Sequence, residues 1–147
     1  MDKVTKRRLE KLIEFMDSLP RSANKHFNMS HWFDHDGPDG EKHGFKEGKK
    51  VVVKKEHLTM CGTSACALGW AATMPYFKRI GLKSTWTEWG SDISFRGIYL
   101  NSDDMHDFLA LDSIQSEQIF GHDVNVSTPK QWAKHARKMM REWTRQD

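Results

Sequence analysis

Cys61 is the side chain in this sequence whose type and setting best suit covalent chemistry. It lies in a Cys-Gly-Thr turn just before a predicted helix, and helix N-termini lower the pKa of thiols. A cysteine-dependent hydrolase would need a histidine within hydrogen-bond reach as its base. The upstream candidates are His26, His31, His35, His43 and His57. We favour the competing interpretation, a buried and unreactive thiol, because free cysteine is so often buried in proteins.

The two cysteines, Cys61 and Cys66, do not form a recognisable pair. Five residues turn a helix by about 500°, so two helical thiols at this spacing do not share a face. The N-terminal segment carries charge but no following apolar stretch, so we expect no secretory signal and a cytoplasmic protein. A structural disulfide is not expected in that reducing compartment.

A second candidate site is the turn Gly62-Thr63-Ser64. Thr63 or Ser64 is predicted to cap a helix that starts near Ala65 and continues through Ala72. Backbone N–H groups and two hydroxyls at a helix start suit a phosphate or carboxylate. These three residues are therefore our predicted ligand-binding set for an anionic small molecule. Ordinary helix capping uses the same groups and stays open as the alternative.

A metal site is a further alternative in the polar stretch that follows the first aromatic residues. His35 and His43 offer imidazole ligands, and three aspartates accompany them: Asp34, Asp36 and Asp39. These ligand types suit zinc or another transition metal. Their spacing matches no zinc motif, however, so we predict a long, exposed polar loop over 34–50 and no cofactor. Phe45 is the only large apolar residue in that stretch.

The C-terminal segment has the clearest surface pattern. Thr128 is a predicted N-cap and Pro129 the first residue of a helix. The apolar stripe of this helix consists of Trp132, Ala136, Met139 and Trp143. A basic stripe repeats the same intervals about 200° away, and it consists of Lys134, Lys138, Arg141 and Arg145. We predict that the basic stripe binds a partner, either an acidic protein surface or, alternatively, nucleic acid.

A second basic cluster lies near the middle of the chain and could serve the same kinds of partner. It consists of Lys46, Lys49, Lys50, Lys54 and Lys55. Both clusters are local, because the formal net charge of the chain is only +3.

The composition places the chain among globular proteins. It has 147 residues, of which 37% are hydrophobic and 29% charged, and this length suits one domain over 1–147. Six Trp and eight Phe are too many large apolar side chains for a disordered chain. No apolar run approaches the roughly 18 residues of a membrane helix, so we predict no membrane contact.

The hydrophobic pattern predicts a mainly helical α+β domain with a small antiparallel sheet or hairpin. Helices are predicted over 3–19, 65–72, 105–110 and 114–120, and from 129 onward. Gly69 inside the second helix is predicted to permit close packing by another element. A strand is predicted over 51–53 and a hairpin over 84–100 with its turn at 90–92. That hairpin is expected to place Ile93, Phe95 and Tyr99 on one face.

The residues above resemble a family of small uncharacterised proteins found in bacteria and their phages. The family pattern is Phe-Asp-Met-x-x-Trp, then Cys-Gly-Thr-x-x-Cys-x-x-Gly-Trp-Ala, a Leu-Phe pair and Thr-Pro-x-Gln. The matching residues are Phe27, Met29, Trp32, Cys61, Gly62, Thr63, Cys66, Gly69, Trp70, Ala71, Phe120, Thr128, Pro129 and Gln131. The chain departs from the pattern at Asn28 and Ile119, where the family has Asp and Leu. The resemblance implies a phage or mobile-element protein and supplies no catalytic residue.

These observations predict a non-enzymatic binding protein. We expect a phage accessory factor that acts on a host protein or sequesters an anionic small molecule, in the host cytoplasm if a phage encodes it. A cysteine-dependent hydrolase using Cys61 and a nucleic-acid-binding protein are the two alternatives.

Overall fold

The computed structural model describes residues 1–30, 32–35, 44–59, 63–100, 106–121 and 123–146. Within these ranges the predicted mainly helical α+β fold with a small antiparallel sheet is confirmed. The helices are α1 (Lys3–Ser18), α2 (Ala67–Ala71), α3 (Pro75–Ile80), α4 (His106–Leu109), α5 (Ser113–Phe120) and α6 (Pro129–Gln146). Two 3-10 segments span Arg21–His26 and Lys55–Thr59. The strands are β1 (Asp34–His35), β2 (Val51–Val52), β3 (Thr63–Ser64), β4 (Leu82–Thr87), β5 (Gly90–Phe95) and β6 (Ile98–Leu100).

The two long helices, α1 and α6, pack against each other and form the helical side of the core. Helix α6 begins as predicted: Pro129 is its first residue, and the Gln131 N–H donates to Thr128 Oγ1 at 3.1 Å. Its apolar face is buried, since Trp132 and Ala136 have no exposed surface. Burying one large apolar side chain contributes about 1.5–3 kcal/mol. Packing of the amphipathic face therefore explains why this polar segment holds a helix of 18 residues. No helix in the described ranges is both long and apolar enough to cross a membrane.

The main sheet has the strand order β2-β4-β5-β6, and every neighbouring pair is antiparallel. The predicted hairpin over 84–100 is in fact two hairpins. The first turn lies at 88–89 rather than 90–92. The second turn lies at Arg96 and Gly97, which both have positive φ, 52° and 84°. Because this turn starts a new strand, Tyr99 pairs with Ser94, and the prediction that it shares a face with Ile93 is wrong.

The segment before α2 differs from its prediction. Thr63 and Ser64 form β3, which pairs with β1, and the Ala65 N–H donates to the His26 carbonyl at 2.9 Å. This pairing keeps the backbone extended through Cys66, so α2 begins only at Ala67. The prediction that Thr63 or Ser64 caps the helix is therefore wrong.

The stretch over 34–50 contributes more structure than the predicted loop. Asp34–His35 is β1, and Phe45 is only 3% exposed. The Phe45 ring packs between Phe33 and Trp86, with both centroids 5.2 Å away. One aromatic side chain therefore anchors the described part of this polar stretch to the sheet. Residues 36–43 lie outside the described ranges.

Candidate functional site

The predicted nucleophile cannot be placed, because Cys61 lies outside the described residues. Two of the candidate bases, His31 and His43, also lie outside them, whereas His26, His35 and His57 are described. The hydrolase hypothesis therefore stays a prediction.

The described histidines differ in their surroundings. The His26 Nδ1–H donates to the Thr63 carbonyl oxygen at 2.8 Å, and His35 stands opposite Thr63 in the pairing of β1 with β3. Two histidines thus flank Thr63, which is two residues from Cys61 in the sequence. The third, His57, accepts a hydrogen bond at Nδ1 from the Lys54 N–H at 2.9 Å. That hydrogen bond fixes the backbone where the second 3-10 segment begins. It gives His57 a structural role.

Cys66 is a buried thiol, as expected for an unreactive cysteine. It is 4% exposed, and burial raises its pKa to about 11 despite opposing hydrogen bonds from backbone N–H groups. Since the thiolate is the reactive species, this side chain stays protonated and inert at neutral pH.

The two described residues of the predicted anion-binding set lie in a strand and not at a helix start, and the binding role of the set stays a prediction. Thr63 is 2% exposed and lies in a strand, and Ser64 follows it there. The N-cap of α2 is Cys66, which is buried, so this helix start does not open toward a ligand. Gly62, the third member of the set, lies outside the described residues.

The alternative metal site is placed only in part. The His35 ring stacks on Phe45 with centroids 4.9 Å apart and lies 4.8 Å from the Trp86 ring. Its Nδ1 is buried, and no hydrogen-bond partner for it is found among the described residues. No group of three ligating side chains comes together in that part of the chain, and His43 lies outside it.

The cations of α6 fall into two sets with different roles. Lys130 Nζ donates to the Asp17 carbonyl at 2.6 Å, and Arg137 bonds the Asp17 carboxylate at 3.1 Å. These two side chains hold α6 to the end of α1. Sequence reasoning missed Asp17, because nothing local relates it to a helix more than a hundred residues later.

The other set is the predicted basic stripe. All four of its residues are exposed: Lys134, Lys138, Arg141 and Arg145. None of them makes an ion pair within 4.0 Å in the described ranges. From Lys134 to Arg145 the stripe extends about 16 Å along the helix. Glu10 and Glu14 share a groove with Arg141, so the acidic side of α1 borders the stripe at this point.

Comparisons with known proteins add nothing to this geometry. No protein-family model, no curated protein and no solved structure matches the chain at a significant level. The resemblance to a family of bacterial and phage proteins therefore stays a prediction.

Proposed function

We propose that this chain is a non-enzymatic binding protein that docks the basic stripe of α6 on an acidic surface of a partner protein. The observation that carries the proposal is the separation of the α6 cations into two sets. Lys130 and Arg137 both pair with the Asp17 carboxylate, whereas the four stripe residues have no ion pair among the described residues. Unpaired cations on one face attract an acidic partner and steer its approach.

The rigidity of α6 supports the same proposal. Trp132 is fully buried and its indole N–H donates to the Ile119 carbonyl at 2.8 Å. Trp143 is 6% exposed and its indole N–H donates to Gln118 Oε1 at 2.7 Å. Both ends of the helix are therefore fixed to α5. A charged face on a fixed helix loses little backbone freedom when it binds, which favours docking on a complementary surface.

An acidic protein suits the stripe better than nucleic acid does. Proteins that bind single strands combine a basic groove with aromatic platforms for the bases. Both tryptophans of α6 are buried on its other face, so the stripe offers no such platform. Duplex binding would rest on phosphate contacts alone, and it would weaken steeply as the salt concentration rises. The resemblance to phage proteins makes a host protein the partner that we propose.

Binding of poly-L-glutamate, followed by fluorescence anisotropy, tests the proposal with a defined probe. The double variant Lys138→Gln/Arg145→Gln should weaken binding by about tenfold, because two exposed charge contacts are lost. The control Lys78→Gln/Arg79→Gln removes the same net charge from exposed residues of α3, which belong to neither basic cluster. We expect this control to keep near-wild-type affinity.

Two results would overturn the proposal. An equal loss in the stripe variant and the control would mean that net charge alone drives binding. Tighter binding of a DNA duplex than of poly-L-glutamate, with a steep salt dependence, would favour the nucleic-acid alternative instead.

A further inference from the structure

A cavity between the two 3-10 segments and α2 has the features of a ligand site. We propose that it binds a small organic anion, an apolar body that carries one carboxylate or phosphate group. Its volume is about 280 Å³, just below the roughly 300–1,000 Å³ of typical small-molecule pockets. That size suits a molecule of one or two rings.

The floor of the cavity is apolar and rigid. Leu58 and Trp70 line it, and they are 0% and 2% exposed overall. The Trp70 indole N–H donates to the His26 carbonyl at 3.0 Å, which fixes the ring. Leu19, Pro20 and Ala23 complete the apolar lining. An apolar ring on this floor would gain the free energy of burial without displacing a protein side chain.

His26 supplies a buried polar group in the wall of the cavity. The residue is 5% exposed and lines the cavity. Its Nδ1 is committed to the Thr63 carbonyl, so Nε2 is the remaining polar atom of the ring. No hydrogen bond to Nε2 is made by any residue in the described ranges. Because Nδ1 carries the proton that it donates, Nε2 is the acceptor nitrogen of the neutral ring. It is open to a hydrogen-bond donor on the body of a ligand, and the anionic group must be held by other residues.

Two lysines give the cavity its charge preference. Lys25 and Lys55 line it, both are exposed, and neither makes an ion pair in the described part of the chain. The lining contains no aspartate or glutamate. The positive charge at the rim is therefore uncompensated, and an anionic head group is the complement that it selects.

This cavity shares no residue with the basic stripe of α6, so the two binding proposals can be tested independently of each other. Sequence analysis did not predict the cavity, because its lining comes from the residues just after α1, the two 3-10 segments and α2.

Titration with naphthoate, followed by calorimetry on the full chain, tests the anion site. We expect naphthoate to bind, and its neutral isostere naphthamide to bind at least about fivefold more weakly, because it lacks the charge contact with the lysines. Lys25→Met and Lys55→Met should each weaken naphthoate binding by a similar factor. The control Lys54→Met, an exposed neighbour that does not line the cavity, should leave the affinity unchanged.

The site of binding can be read from the indole N–H resonance of Trp70. That resonance should shift with naphthoate and should not shift with acetate, which has the charge without the apolar body. The proposal is overturned if naphthoate does not bind, if naphthamide binds equally well, or if Lys54→Met weakens binding as much as Lys25→Met does. Because the lysines are exposed, these variants are expected to fold normally.

Discussion

Gly69 in α2 lies directly against the carbonyl oxygen of Trp32, with no room between them for a methyl group. A Cβ at position 69 would overlap that oxygen and would also crowd the Ala65 side chain. The sequence-based prediction that Gly69 permits close packing is therefore confirmed. The contact brings the aromatic segment after the first 3-10 turn onto the helix.

Gly69→Ala should destabilise the protein, although the same change in a free helix stabilises it by about 1 kcal/mol. The overlap with a backbone oxygen forces α2 and the Trp32 segment apart. We expect the free energy of unfolding to fall by about 3 kcal/mol or more, measured by urea denaturation. Gly48→Ala is the matched control, because a Cβ there meets no atom within 4 Å. It should cost only about 1 kcal/mol, for its left-handed backbone. Equal losses in the two variants would refute the packing argument.

Cys66 should make stability fall in alkaline solution. Its pKa is raised by burial from 9.0 to about 11. Between these values the unfolded chain releases a proton that the folded chain keeps, so stability falls as the pH rises from 9 to 11 and is unaffected below 9. The free energy of unfolding should fall by about 2 kcal/mol over this pH interval.

The measurement is urea denaturation at several alkaline pH values, with Cys66→Ala as the comparison. All other ionisable groups are the same in both proteins, so the difference between the two curves isolates the Cys66 thiol. Cys66→Ala should lose less stability than the wild type over this interval. Parallel curves would show that the Cys66 pKa is not raised.

Ala110 carries a left-handed backbone without a glycine, with φ at 52°. Ala110→Gly should therefore raise the free energy of unfolding by about 0.5 kcal/mol, because relief of the left-handed strain exceeds the entropy lost from a more flexible unfolded chain. The comparison is Ala72→Gly, at φ −63°, which should be destabilised. A loss of stability in both variants would contradict the strain argument at Ala110.

Elements defined by local signals were predicted well. Helix α6 has a cap, a first-turn proline and a strict apolar repeat within one segment, and all of these lie where expected. The prediction that Thr63 or Ser64 caps a helix failed because their extended backbone depends on pairing with β1, about thirty residues earlier. Local cap chemistry favours a helix start there, and the distant strand overrides it.

The candidate sites also divide into those that a local sequence pattern predicts and those that only the fold brings together. The basic stripe follows from helical periodicity, and its four residues are exposed as predicted. The ion pairs of Asp17 and the cavity beside His26 arise from contacts between distant segments. No spacing in the sequence encodes such contacts, so they become visible only in the fold.

Phe45 is a core residue within a stretch that was predicted to be an exposed loop. A single apolar side chain shows no periodicity, so the sequence pattern does not indicate its burial. Its ring lies within 5.2 Å of Phe33, His35, His57 and Trp86, measured between centroids. Phe45→Ala should therefore lower the free energy of unfolding by about 3–5 kcal/mol, the usual cost of emptying a buried aromatic site. Trp89→Ala is the control, because Trp89 is 90% exposed and should change stability by less than about 0.5 kcal/mol. If Phe45→Ala is as mild as the control in urea denaturation, the 44–50 segment does not belong to the core.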